Sequence, residues 1–331
     1  MQLSKPRVVI IGGGFGGLEA AKQLEGSNLE VVLIDKTNHH LFQPLLYQVA
    51  ISALSPGDIA TPLRGIFNKS KNVQVIMNKA VDINTGEQYV ELEDGTIEYD
   101  YLIAAPGAKN SYFGNNRWEK YAPGLKSIQD ALRIREMVLS SFEKAERNYK
   151  NKEKSKKYLT FAIIGGGPTG VELAGAISEI GREILLPDFP LIKNEDINVY
   201  LVEGGDRLLK PYPEDISEYT RKALENIGVN VLLNTKVKDV SEDVIYTGGQ
   251  NITSACILWA AGNEGSPLVK KLNTKIDKAG RAVVNKDLTI PGYDNVFVVG
   301  DASYSIDGNG VEVPGVAPAA RQEAEGAADV I

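Results

Sequence analysis

The chain opens on an unbroken apolar run, "VVII" at Val8–Ile11, β-branched and without polar alternation, the pattern of a strand buried on both faces of a parallel sheet. Glycines then interrupt it, and from Leu18 "LEAAKQLEG" is good helix material. A second run, "EVVLID", ends on Asp35. The same strand–glycine–helix–strand order returns in "YLTFAIIGGGPTGVELAGAISEIG", followed by "NVYLVEGG" with its acid at Glu203. "YLIAAPG" after the first unit is mirrored by "SACILWAAG" after the second, and "VFVVGDAS" supplies a late strand ending in Gly300-Asp301. Two strand-rich stretches, "VQVIMNKAVDINTGEQYVELEDGTIEYDYLI" and "VNVLLNTKVKDVSEDVIYTGGQNITSACILW", predict matching crossovers. The run Glu143–Lys157 after the helix "IQDALRIREMVLSSF" reads as a solvated helix end and linker.

The glycines carry the chemistry. Gly12, Gly14 and Gly17 satisfy G-x-G-x-x-G, and Gly165, Gly167 and Gly170 satisfy it again. The first glycine permits the tight turn, the second lets a pyrophosphate approach the backbone, and the third lets helix and strand pack closely. The helix N-terminus then offers free N–H groups and partial positive charge to phosphate. Phe15 and Gly16 lie within the first loop. Asp35, with Lys36 after it, stands where an acid accepts hydrogen bonds from a ribose hydroxyl pair. In the second unit Glu203 favours NAD over NADP, since it repels a 2′-phosphate; Arg207, four residues on, is the opposing feature. Pro168 sits just inside the helix, where its missing N–H costs nothing, followed by Thr169. Glu172, one turn in, suits either helix-dipole complementarity or a role beside a nicotinamide. Two dinucleotide sites in one chain pair a resident flavin at the first loop with diffusing NADH at the second. Ala105 and Gly107 end the strand and turn of "YLIAAPG", and a strand ending in Gly300-Asp301 is expected to bring the Asp301 carboxylate to the ligand crevice, where it suits a hydrogen bond to a ribityl hydroxyl.

Composition narrows this further. A net charge of −7 over 331 residues argues against a nucleic-acid surface. The single cysteine, Cys256, lies in an apolar strand and reads as a structural thiol; it allows no internal disulfide and no cysteine metal cluster. His39 and His40 are adjacent on an extended segment and point oppositely, so they share no metal, and no metal is expected. Trp118 and Trp259 read as core or domain-interface residues. No signal-peptide segment and no membrane-spanning apolar run is present.

From Pro6 to its last residue the sequence resembles the two-dinucleotide flavoprotein reductases, and within them the type II NADH dehydrogenases, single-subunit NADH:quinone oxidoreductases. The segments carrying the resemblance are "NHHLFQPLLYQVAISALSPGDIATPLR" (Asn38–Arg64), the Gly300-Asp301 turn and "PGVAPAARQEAEGAADVI". The resemblance implies an α/β fold of two Rossmann-like three-layer dinucleotide-binding domains, the second inserted into the first: 1–115 with 290–331 for FAD, and 116–289 for NADH. It also implies that Val81 presents backbone to adenine, that Gly262 borders the nicotinamide, and that Pro44–Gln48 lies near the isoalloxazine. Ala317–Gln322 would begin a helix facing the flavin's pyrimidine edge and bordering a quinone pocket, so Gln48, Glu172 and Gln322 are the candidate catalytic side chains. Of the family's two glutamines there, Gln322 is present and Pro318 replaces the other.

The implied reaction is ping-pong and non-proton-pumping: hydride from NADH to FAD, then two electrons to a quinone. Alternatives are an NADH-dependent reductase of a small redox protein, or an NADH/FAD-binding redox sensor. Disulfide and sulfide:quinone reductases are disfavoured by the lack of a cysteine pair. Family members continue beyond this point with helices that dock on the inner face of the plasma membrane, facing the cytoplasm. A form ending at "GAADVI" is expected to be soluble, to prefer small acceptors to long-chain quinones, and to admit a homodimer.

Overall fold

The computed structural model describes residues 5–331; the first four residues of the segment read for a signal sequence lie outside them. Two compact units emerge. One comprises the chain up to Leu41, Ala60–Lys109 and Asn263–Ile331; the other comprises Phe42–Ile59 and Asn110–Gly262.

The first unit is built on a five-stranded parallel sheet in the order Val296–Val298, Tyr101–Ala104, Arg7–Ile11, Glu30–Asp35, Val73–Met77. Alternation along each strand divides its side chains between two cores. Val8, Ile10, Val31, Leu33 and Phe297 face the helix side, where Leu18, Ala21 and Leu24 of the helix Phe15–Gln23 meet Ala324 and Ala327 of the last helix, Ala317–Val330. Val9, Ile11, Val32 and Ile34 face an antiparallel three-stranded meander through Ile83, Val90 and Leu92. These are the three expected layers, and the unbroken apolar strands are explained by burial on both faces.

The second unit repeats the plan with four parallel strands: Val229–Leu232, Asn198–Val202, Thr160–Ile164, Cys256–Trp259. One face of this sheet packs Ala162, Ile164, Val202 and Trp259 against Val240, Ile245 and Ile252 of a second meander. Trp118 and Trp259 are both buried, their rings 5.5 Å apart. In both sheets the glycine-loop strand is the point where strand order reverses, so each loop lies at the carboxyl-end crevice where ligands bind.

Three features differ from the sequence reading. The first-loop helix begins at Phe15 rather than Leu18, because Gly14 serves as its N-cap. The charged run contains a further helix, Lys152–Tyr158, started by the Asn151 side chain accepting from the Lys154 N–H. The unit boundaries fall at 110 and 262 rather than 116 and 289. After Gly262 the chain is already bonded within the first unit, through Ser266 N–H to Gly107 O (3.1 Å) and through Ala282–Val283 pairing with Ser303–Tyr304. Phe42–Ile59 joins the second unit because its helix Leu46–Ala50 packs on the helix Ile128–Arg147, whose Arg135 donates to Val49 O (3.1 Å) and Leu54 O (2.9 Å).

Candidate functional site

The two glycine loops match position by position. Gly12 and Gly165 turn at φ +100° and +115° and donate to Ile34 O and Val202 O at 2.7 and 2.8 Å. A Cβ on Gly17 would stand 1.8 Å from the Gly12 carbonyl oxygen, and one on Gly170 at 1.8 Å from that of Gly165. These clashes are with backbone, so both positions exclude any side chain. Gly14 and Gly167 are the opposite case: a Cβ on either meets nothing within 4 Å, and both have ordinary negative φ. The protein itself makes no demand for glycine there. What fits is a group that arrives from outside and needs the backbone bare, at the N-terminus of a helix.

The acids close the loops. Asp35 Oδ2 accepts from Gly13 N at 2.8 Å, while Oδ1 accepts from Thr37 N, Thr37 Oγ1 and Asn38 N. Glu203 accepts from Gly166 N and Gly205 N, both at 2.6 Å. Oδ2 of Asp35 and each oxygen of Glu203 keep acceptor capacity for a ribose hydroxyl. Lys36 is exposed. Arg207 is held by the carbonyls of Tyr212 and Lys210, both at 2.8 Å, and by Ser217 Oγ.

Around the first loop the fold gathers Gly16, Ala105, Asp301 and the last helix. A Cβ on Gly12 would meet Ala105 O, and one on Gly16 would meet Val299 and Ala320. Gly107 turns at φ +69° with open space beside it, and Val81 lies half-buried in the meander strand Ala80–Asn84. A cavity of about 170 Å³ is lined by Gly300, Asp301, Ser303, Gly315, Ala320 and Glu323. Ala317 starts the last helix, and Gln322 on it is exposed.

Around the second loop, Pro168 and Thr169 open the helix Pro168–Glu179 that carries Glu172. Glu172 is exposed by surface area, yet enough protein crowds its carboxyl that desolvation raises its pKa; its exposure keeps that shift modest. Gln48 sits on the helix Leu46–Ala50, which packs on that same helix in the second unit, and donates to Tyr47 Oη at 3.1 Å. Gly262 is exposed at φ +82°, and the Phe113 ring occupies the place of its Cβ.

Two residues were missed from sequence. Glu323 accepts from Gly300 N at 2.6 Å and from the hydroxyls of Ser303 and Ser305, holding the turn that carries Asp301. No local signal singles it out, since Glu325 and Asp329 lie on the same helix beside the alanine stripe Ala320, Ala324, Ala327. Glu19 is buried on the first-loop helix and accepts from Arg321 Nε at 3.0 Å, tying the last helix to it. No cluster of His, Cys, Asp or Glu suited to a metal occurs among the described residues, and none of their helices is long and apolar enough to cross a membrane.

Paired parallel sheets with an open-glycine loop at each crevice define the pyridine nucleotide-disulphide oxidoreductase class, whose sequence pattern matches residues 6–324. Cys256 is fully buried and its thiol is pushed up to about 12, so the disulfide chemistry in that class name has no counterpart in this single-cysteine chain. The type II NADH:quinone oxidoreductase Ndh of Mycobacterium tuberculosis is 43% identical, over 98% of this chain and 72% of its own length. The type II NADH:quinone oxidoreductase of Haemophilus influenzae is 31% identical, over 97% of this chain and 79% of its own. NDH2 of Plasmodium falciparum, solved in complex with NADH, superposes with a TM-score of 0.89 at 23% identity, covering 98% of this chain and 83% of that one. This chain belongs to the type II NADH:quinone oxidoreductases.

Proposed function

We propose that this protein oxidises NADH and passes two electrons to a quinone, with FAD held at the first glycine loop and NADH at the second. The observation that carries the reading is the pair Gly14 and Gly167, bare where the protein itself leaves room for a side chain. When bound, the flavin supplies the electron chemistry, accepting a hydride from NADH and returning electrons to the quinone.

The chain's own residues bind and orient. The first-loop N–H groups and the N-terminus of Phe15–Gln23 would meet the FAD pyrophosphate, Asp35 and Val81 its adenosine half, and Asp301, on the turn that Glu323 holds through Gly300 N, the ribityl chain. Phe15, Gly16, Lys36, Ala105, Gly107 and Ala317 complete this site. Glu203 meets the NADH ribose, and the engagement of Arg207 by loop carbonyls supports NADH over NADPH. Gly262 borders the nicotinamide. Glu172 serves the nicotinamide side, Gln48 the neighbourhood of the isoalloxazine, and Gln322, exposed on the last helix, donates to a quinone oxygen. No side-chain proton transfer is needed for hydride movement, and no proton is pumped. On this reading the chain up to Leu41, Ala60–Lys109 and Asn263–Ile331 form the FAD unit and Asn110–Gly262 the body of the NADH unit.

The test is a pair of substitutions. Gly14→Val is expected to fold and lose FAD while still binding NADH; Gly167→Val is expected to keep FAD and lose NADH. Loss of neither ligand in either variant overturns the reading. Stopped-flow mixing of the wild type with NADH and then a short-chain quinone identifies the acceptor. Reoxidation only by an iron–sulfur protein, or a long-lived reduced complex, rejects the quinone.

A further inference from the structure

The near identity of the two loops isolates one place where they differ. In both, the residue after the first glycine donates its N–H to the strand-end acid and is covered by a leucine: Leu63 over Gly13, Leu208 over Gly166. Its carbonyl is satisfied differently. Leu209 N–H donates to Gly166 O at 2.8 Å, because the chain passes directly from Glu203 to Leu208. In the first loop residues 36–62 intervene between Asp35 and Leu63, and among the described residues no loop amide takes the place of Leu209 N–H on Gly13 O. Gly13 O instead meets His40 Nδ1 at 3.1 Å.

We propose that His40 is a positioning residue for the dinucleotide at the first loop, its imidazole supplying the hydrogen bond that a backbone amide supplies in the second. The inference rests on the first loop holding FAD. A bond to a carbonyl requires the proton on Nδ1, so the contact selects that tautomer and leaves Nε2 bare. The ring is half-buried and meets Phe15, the first residue of the loop helix, edge-on at 4.9 Å and 89°. It thus braces both the Gly13 carbonyl and the helix start whose N–H groups face the phosphates. Burial, with Lys22 and His39 nearby, lowers its pKa against the opposing pull of the Gly13 bond and Asp35. The clamp is therefore neutral at pH 7 and does not compete with the helix N-terminus for the anion.

The variants His40→Asn, His40→Gln and His40→Leu of the full chain test this. An Asn amide places its nitrogen where Nδ1 stood; a Gln amide reaches the position of Nε2. FAD affinity is read by flavin fluorescence quenching on stripped protein, with NADH affinity and thermal melting as controls for folding. His40→Leu and His40→Gln are expected to bind FAD about tenfold more weakly, the worth of one hydrogen bond, with NADH affinity unchanged, and His40→Asn to stay near wild type. Wild-type FAD affinity in His40→Leu, or equal loss in His40→Asn, overturns the proposal. If Gly14→Val abolishes FAD binding while His40→Leu keeps wild-type FAD affinity, the loop assignment stands and the clamp fails. If Gly14→Val leaves FAD binding intact, the loop assignment itself fails.

Discussion

The backbone N–H of Gly300 donates to Glu323 Oε2 at 2.6 Å, so a side chain on the last helix holds the turn that delivers Asp301. The same carboxylate receives Ser303 and Ser305, and Gly300 sits at φ +70°, a conformation that the bond helps to keep. Removing the carboxylate strands the part-buried Gly300 N–H and the Ser305 hydroxyl, while Ser303 keeps its bond to Gly300 O at 2.9 Å. Glu323→Ala is expected to lose roughly 1–3 kcal/mol of stability in denaturant titration and to weaken FAD binding, with Glu323→Gln recovering part of both.

The third glycines should behave unlike the second. Gly17→Ala and Gly170→Ala each force a Cβ to within 1.8 Å of a carbonyl oxygen of the same loop. Each is expected to yield misfolded or strongly destabilised protein, seen as a lowered melting temperature and poor soluble yield. Gly14→Ala should melt like the wild type.

Arg321 and Glu19 join the last helix to the first-loop helix. The Glu19 side chain is 10% exposed and that of Arg321 is 55% exposed, so solvent screens the pair from one side only. Arg321→Ala leaves a buried carboxylate bonded only to Gln23, and is expected to cost about 1–2 kcal/mol. A double-mutant cycle with Glu19→Gln should recover most of that loss.

Cys256 should be silent. With its thiol fully buried and pushed up to about 12, it should resist a thiol reagent at pH 8 until the protein unfolds. Cys256→Ala should retain NADH oxidation at the wild-type rate, which separates this chain from enzymes working through a cysteine.

The lowered pKa of His40 predicts a pH dependence. The unfolded chain takes up its proton near 6.5 and the folded chain only below that, so unfolding is favoured as pH falls. The contribution is fully present above pH 6.5 and is lost as pH drops through the folded pKa. Thermal melts at pH 7.5 and 5.5 should show a wild-type loss that His40→Asn reduces.

Legibility followed the range of the interactions involved. The two β-α-β units, their glycines and their acids lie within short stretches of chain, and local propensity, period and turn chemistry suffice to read them. Cys256 and Trp259 were equally plain, as apolar residues in an apolar strand. Glu323 was not legible, because its importance comes from meeting Gly300, 23 residues away, and only packing of the last helix brings them together. The same holds for His40, whose neighbour Gly13 is 27 residues distant, and for Phe42–Ile59, which reads as part of the first unit by position but packs with the second through Arg135. What the amino-acid order settled alone was the backbone shape of each loop, since a glycine turn between a strand and a helix is local. Which side chains brace those cradles was left to tertiary contact, because a hydrogen bond between distant residues has no local signature.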